Sequence, residues 1–309
     1  TMKLVAMALL VSGVSAFRPV LGRGPMSAAR MAARMAYTTE KAGEDATESF
    51  RLFFKDGETI SPWHDIPLYA DDGMVNLITE IPKMSKAKME VNTKEENNPI
   101  AQDIKKGKLR DYHGPIFWNY GCVPQTWENV KEEHPVLKCF GDDDPVDVVE
   151  IGTAALAMGS VTPVKPLGVR RIGCQQAVPS PARPHCQPSQ STTLDHVTTH
   201  STHSIPHQVL AMIDDGELDW KVVAIAASDP MADELNDIDD VEAKMPGTLS
   251  GIREWFRWYK TPDDKPLNAF GFDEKFLDKE EAMKVIAETH ESWKGLKDGS
   301  IEKGKLWIN

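Results

Sequence analysis

Four aspartates fall within the seven residues Gly141 to Asp147, whose sequence is GDDDPVD. Asp142 and Asp144 are two positions apart, so an extended backbone would turn both side chains to one face. Pro145 disfavours regular strand pairing, and a bend there would bring Asp147 to the same place. Converging carboxylates repel one another unless they bind a cation, and hard divalent cations prefer oxygen ligands. The run therefore predicts a metal site, with a solvated acidic turn as the alternative.

A second acidic group occupies residues 214–221, whose sequence is DDGELDWK. The Asp-Gly pair at 215–216 favours a two-residue turn, so residues 209–214 and 220–226 are predicted to form a hairpin. In that hairpin Asp214 and Asp219 would lie roughly opposite each other, with Lys221 on the same strand face as Asp219. Such turns are common on surfaces, so this group indicates a carboxylate pair only weakly by itself.

Cations and phenols are scattered around these acids in the sequence. Each is more often an ordinary surface group than part of a site. The candidates are Lys88 with Glu90, Arg110, Tyr120, and the pair Tyr259 and Lys260.

The elements that would position these residues are mostly short strands. Apolar runs predict strands at 75–81, 88–92, 145–151 and 161–168. Helices follow later: residues 249–259 have helical spacing after Pro246-Gly247, and Asp278 with Glu281 resembles a capping box that opens a helix to about 296. Many short strands followed by helices predict a mainly β, α+β domain, built as a small barrel with flanking helices.

The charge distribution excludes some partners. The 309 residues carry a formal net charge of −12. Residues 1–39 hold five basic residues and no acid, and residues 169–208 hold three arginines and one aspartate; subtracting these +5 and +2 from the total leaves −19 for the body. A body this acidic repels nucleic acid and anionic membranes, so neither is expected as a stable partner. It would also repel a phosphate substrate unless metal cations lay between them.

The first 39 residues have the composition of a targeting segment. An apolar run at 4–14 is too short to span a bilayer, and small residues follow it. After Phe17-Arg18-Pro19 comes an acid-free stretch rich in Arg, Ala, Met and Ser. A signal peptide followed by a transit peptide resembles the bipartite plastid signals of algae with secondary plastids. We expect delivery to the plastid stroma, with a secreted or cytoplasmic protein as the alternatives.

Residues 169–208 break the pattern of the body. They are rich in Ser, Thr, Pro, His and Gln and nearly devoid of aliphatic residues, so they cannot bury enough apolar surface to fold alone. This 40-residue, low-complexity insertion fits a retained intron, since it starts Val-Arg and ends in Gln, as codons at intron boundaries would encode. A genuine surface insertion is one alternative. A zinc module is another, because His196, His200, His203 and His207 have helical spacing.

Eight segments, in their order and spacing, resemble the eukaryotic-type family I soluble inorganic pyrophosphatases. The resemblance covers about residues 50–168 and 209–296, within a domain expected at 44–300 and followed by a tail at 301–309. The segments are SPWHDIPLY (61–69), TEIPK (79–83), KMEV (88–91), NPIAQDIKKGKLR (98–110), WNYGCVPQTW (118–127), GDDDPVDVVEIG (141–152), DDGELDWKV (214–222) and EWFRWYK (254–260).

The resemblance implies an OB-like five-stranded barrel with C-terminal helices, a homodimer, and hydrolysis of pyrophosphate to two orthophosphates by a water activated among several Mg²⁺ ions. It implies that Asp144 orients or deprotonates that water, and that Tyr120, Arg110 and Lys88 also act in catalysis. The implied metal ligands are Asp142, Asp147 and Asp219, completed by Asp144 and Asp214, with Glu80 and Glu90 holding metal-bound waters. The implied phosphate contacts are Arg110, Lys88, Tyr120, Lys221, Tyr259 and Lys260.

One position departs from the family pattern. The family usually has a tyrosine shortly before NYG, where this chain offers Ile116 or Phe117; Tyr112 is a possible substitute. This difference and the insertion support a second hypothesis, a non-catalytic phosphate- or cation-binding protein of the same fold. The complete set of acidic ligands argues against it.

Overall fold

The computed structural model describes residues 37–135, 138–170, 211–214, 217–261, 265–271 and 276–309. The predicted targeting segment, apart from 37–39, and residues 171–208 of the predicted insertion lie outside this part. No helix in the described ranges has both the length and the apolar character needed to cross a bilayer.

Strands dominate the described residues, and three α-helices lie in the C-terminal part of that description. In chain order the strands are β1 (Thr38–Ala42), β2 (Arg51–Asp56), β3 (Glu58–Ile60), β4 (Val75–Ile81), β5 (Met89–Val91), β6 (Ile100–Gln102), β7 (Ile104–Lys105), β8 (Lys108–Leu109), β9 (Asn119–Cys122), β10 (Phe140–Gly141), β11 (Asp147–Glu150), β12 (Val161–Arg170), β13 (Ala211–Asp214), β14 (Glu217–Leu218), β15 (Lys221–Ala226) and β16 (Ala269–Gly271). The helices are α1 (Ile238–Lys244), α2 (Thr248–Trp258) and α3 (Lys279–Lys297).

Five of the strands close into a barrel in the order β11-β15-β12-β4-β9. The β11–β15 pair is parallel and the other pairs are antiparallel. The strands are rich in β-branched residues that are fully buried, such as Val75 and Val223. Gly121 in β9 is required, because a Cβ there would lie 1.9 Å from the carbonyl oxygen of Ile78 in β4. The predicted five-stranded barrel with C-terminal helices is confirmed.

The predicted hairpin around residues 215–216 is only partly correct. β13 pairs with the short β14, so that Asp214 lies opposite Glu217 and not Asp219. β13 and β14 belong to a four-stranded sheet with β10 and β16, whereas β15 joins the barrel. The chain leaves the hairpin at Trp220, whose N–H is donated to the buried carboxylate of Glu128 at 3.0 Å. This long-range contact is the physical reason that the second arm is so short.

Strand β12 extends two residues past the predicted start of the insertion. Val169 pairs with Val222 in the barrel and exchanges two backbone hydrogen bonds with Leu277. Since residue 209 is also a valine, removal of residues 169–208 would leave a valine beside Gly168.

Helix α3 begins where its capping residue predicts. Asp278 accepts the N–H of Glu281 at 3.0 Å at the start of α3, as predicted. Helix α1 was not predicted, although Asp237 and Asp240 form a capping box at its start. The last residues, expected to be a tail, pack on the body: Leu306 is buried and the N–H of Trp307 is donated to the carbonyl of Thr93.

Candidate active site

Twelve of the thirteen predicted site residues line one cavity of about 200 Å³. Strands β4, β9, β11 and β15 of the barrel each contribute side chains to it, and α2 contributes Phe256. Asp214 is the exception: its side chain lies outside the description, and its backbone pairs with Glu217, which does line the cavity. The predicted residues on the cavity are Glu80, Lys88, Glu90, Arg110, Tyr120, Asp142, Asp144, Asp147, Asp219, Lys221, Tyr259 and Lys260.

Lys221 holds together the acids at the start of two barrel strands. Asp147 and Lys221 are the first residues of β11 and β15 and are direct partners in register. Lys221 is only 2% exposed, and its ammonium group donates hydrogen bonds to both the Asp147 and the Asp219 carboxylates. The Tyr120 hydroxyl donates a hydrogen bond to the same oxygen of Asp147. A buried cation thus offsets part of the negative charge, as burial of charged groups requires.

The run of aspartates reaches the cavity through a turn instead of an extended segment. Asp143 has a φ of +75°, and the N–H of Asp144 is donated to Asp142 Oδ1 at 3.1 Å. The turn directs Asp143 away from the cavity, where its carboxylate accepts the indole N–H of Trp127 at 3.2 Å. Asp142 and Asp144 still converge, but the predicted alternation along a strand is not the reason.

Glu128 joins Asp142 and Asp219 in a group able to hold a cation. One oxygen from each of the three carboxylates lies within 4.8 Å of the others. Gly141 permits this approach, because a Cβ there would lie 2.3 Å from the backbone of Glu128. Glu128 was not predicted: nothing in its local spacing marks it, and its neighbours in space lie far away in sequence.

The pKa values of these carboxylates show how unfavourable their negative charges are together. Burial, and then repulsion from Asp219, raises the pKa of Asp142 well above its usual range. Burial raises the pKa of Asp219 to about 7, although Lys221 opposes the increase. Burial and the charge of Glu90 raise the pKa of Asp144 to about 7. An all-oxygen donor set that resists its own charge fits a hard divalent cation such as Mg²⁺.

Two of the cations that line the cavity, Lys88 and Arg110, are held by Asp103. One oxygen of Asp103 accepts from Lys88 Nζ at 3.0 Å and from Arg110 Nη1 at 2.9 Å. Burial opposes the ionised form of Asp103, but these two cations outweigh it and lower its pKa. Lys88 also bonds Glu90. Asp103 was missed in the sequence because it precedes the basic run that drew attention to Arg110.

An aromatic wall completes the site. Tyr112 lines the cavity and packs edge-on against Trp255 and Tyr259, with ring centroids 4.8 and 5.9 Å away. Ile116 is fully buried and Phe117 is 58% exposed, and neither lines the cavity. Of these three residues, only Tyr112 lines the cavity. Burial, and then the charge of Arg110, lowers the pKa of Lys260 to about 7.

Comparison with known proteins points to one family. The profile of the inorganic pyrophosphatase family matches residues 77–175 and 196–294. Soluble inorganic pyrophosphatase 1, chloroplastic, of Chlamydomonas reinhardtii is 47% identical over 266 residues, which cover 86% of this chain and 81% of the relative. Soluble inorganic pyrophosphatase 6, chloroplastic, of Arabidopsis thaliana is 46% identical over 270 residues, covering 86% and 77%. The truncated vacuolar soluble pyrophosphatase of Trypanosoma cruzi, solved in complex with PPi, is 36% identical with a TM-score of 0.69, covering 95% of this chain and all of that one.

Proposed function

Because this chain belongs to the inorganic pyrophosphatase family, we propose that it hydrolyses pyrophosphate in the cavity described above, with Mg²⁺ ions held by Asp142, Asp147 and Asp219. The chain is a hydrolase of pyrophosphate, since relatives at 41–47% identity over most of its length carry that name. The observation that carries the location is the arrangement of charge. The same cavity is lined by the carboxylates of Asp142, Asp144, Asp147 and Asp219 and by the cations Lys88, Arg110 and Lys260.

The carboxylates that line the cavity would hold the metal ions. Asp144 and Asp214 would complete the ligand set, and Glu80 and Glu90 would hold surrounding waters through hydrogen bonds. Bound Mg²⁺ would supply charge neutralisation and would make a water more acidic at neutral pH. Asp144 would orient the attacking water and accept its proton on a carboxylate oxygen.

The cations that line the cavity would bind the two phosphates. Lys88 and Arg110, held by Asp103, and Lys260 would contact phosphate oxygens and stabilise charge on the departing phosphate. Tyr120, Lys221 and Tyr259 would donate further hydrogen bonds, and Tyr112 would add the contact usually made by the missing tyrosine. The retained carboxylates do not favour a non-catalytic binding protein, which needs no water activated by metal.

The test compares two aspartates of one acidic run. Asp147→Asn removes a carboxylate that Tyr120 and Lys221 bond, whereas Asp143→Asn changes one that contacts Trp127 outside the cavity. We expect phosphate release with Mg²⁺ to fall at least about a hundredfold in the first variant and less than about threefold in the second. Full turnover by Asp147→Asn would refute the location of the site.

Targeting and assembly are proposed on further grounds. The two chloroplastic relatives support delivery to a plastid, and residues 1–39 would carry the signal. A fluorescent protein fused to residues 1–39 should accumulate in the plastid; cytosolic fluorescence would contradict this.

A homodimer is supported by two exposed apolar side chains, Met84 (62%) and Phe117 (58%). They lie on adjoining segments, because the N–H of Met84 donates a hydrogen bond to the carbonyl of Ile116. Light scattering should show a dimer that Met84→Glu with Phe117→Glu converts to a monomer.

A further inference from the structure

A lysine-rich hairpin projects from the chain between Asp103 and Arg110. It consists of β7 and β8 joined by Lys106 and Gly107, whose φ angles of +53° and +71° fit a mirror-image two-residue turn. Lys105 and Lys108 are direct cross-strand partners, which places their side chains on one face.

Hydrogen bonds join the two ends of the hairpin to each other and to the residues beside the active-site cavity. The N–H of Arg110 is donated to the Asp103 carbonyl at 2.8 Å, and the N–H of Asp103 to the Lys88 carbonyl at 2.9 Å. Gln102 Nε2 is donated to the Arg110 carbonyl at 2.9 Å. The position of the hairpin relative to the cavity is therefore set by several hydrogen bonds at its base.

A second pocket, of about 330 Å³, lies on this hairpin and shares Arg110 with the active-site cavity. Asp111 also lines the pocket, but its carboxylate accepts a hydrogen bond from Gln102 at 3.0 Å. The lining residues are Lys105, Lys106, Lys108, Leu109, Arg110 and Asp111. Arg110 is also paired with Asp103, but Lys106 and Lys108 are exposed, and the lysines of the lining outnumber its one acid. The pocket therefore attracts anions although the body of the protein is strongly acidic.

We propose that the β7–β8 hairpin is an outer binding site for inorganic pyrophosphate, which docks on Lys105, Lys106 and Lys108 before Arg110 transfers it to the cavity. At physiological ionic strength charges act over about 8 Å, so an anion in this pocket interacts mainly with the lysines that line it. Ammonium groups are strongly hydrated point charges, which suits loose and reversible capture of phosphate oxygens. The inference rests on the cavity as the place of hydrolysis.

The test reverses two exposed charges of the hairpin. In Lys106→Glu with Lys108→Glu we expect kcat/KM for pyrophosphate, at fixed Mg²⁺, to fall about tenfold at about 20 mM ionic strength. The deficit should shrink below about twofold at about 300 mM, where screening shortens the reach of the charges to about 6 Å. The value of kcat at saturating pyrophosphate should stay unchanged.

The matched control makes the same charge change on α3. Lys284 and Lys294 have exposed side chains outside the cavity, and Lys284→Glu with Lys294→Glu should keep kcat/KM within about twofold of wild type. An unchanged kcat/KM in the hairpin variant, an equal fall in the control, or a fall confined to kcat would each overturn the proposal. Failure of the proposed site itself would be distinguished by full turnover in Asp147→Asn.

Discussion

Acidification should destabilise this protein through one buried histidine. His64 is 3% exposed, and its ring is held by two neighbours in the neutral form. The indole N–H of Trp293 is donated to His64 Nδ1 at 2.9 Å, and His64 Nε2 lies 3.0 Å from the Trp307 carbonyl, which only an N–H at Nε2 can bond. If His64 Nδ1 were protonated, it could no longer accept the hydrogen bond from the Trp293 indole, and two N–H groups would face each other.

The size of this destabilisation follows from the difference between the pKa of His64 in the folded and the unfolded chain. Burial lowers the pKa of His64 from 6.5 to about 4; the Trp307 carbonyl and Asp65 oppose the decrease, and Lys297 adds to it. The unfolded chain binds the proton near pH 6.5 and the folded chain does not, so stability is complete above pH 6.5 and is lost as pH falls towards 4. The full loss is about 3 kcal/mol, of which about 2 kcal/mol occurs between pH 7.5 and 5.

Urea denaturation of wild type and His64→Gln at pH 7.5 and pH 5 would measure this. Carboxylates also titrate in this range, so the informative quantity is the stability difference between the two proteins at each pH. We expect that difference to shrink by about 2 kcal/mol on acidification, because glutamine cannot take up the proton. A constant difference, or a His64 imidazole that titrates near pH 6.5 by NMR in the folded protein, would refute the reasoning.

Three other changes test the site and the insertion. Asp103→Asn should raise KM about tenfold and lower kcat less, because two cations lose their charged acceptor; partial rescue by Asp103→Glu is expected, and an unchanged KM would contradict the positioning role. Tyr112→Phe should raise KM about fivefold with the melting temperature retained, and wild-type kinetics would show that its hydroxyl does not meet substrate. Removal of residues 169–208 should preserve turnover and stability, since Val209 can take the place of Val169 beside Gly168; a protein that no longer folds would contradict this.

Local patterns in the sequence predicted a large part of the fold. The strand at 75–81 has the predicted ends, and α3 begins at its predicted cap. Such features depend on neighbouring residues: alternation, turn chemistry and capping act within a few positions of the chain. The residues that the family resemblance singled out also come together, because all of those with a described side chain line one cavity.

The tertiary structure alone decided which distant groups lie against the charged side chains of that cavity. Glu128 and Asp103 have no local signal, yet one joins the carboxylates of Asp142 and Asp219 and the other holds two cations. Long-range contact also ended the hairpin after β14, against the local preference for two long arms. The sequence determined which residues could do the chemistry, through their types and spacing. Their mutual distances and pKa values depend on burial and on charges brought together by folding, which local patterns do not encode.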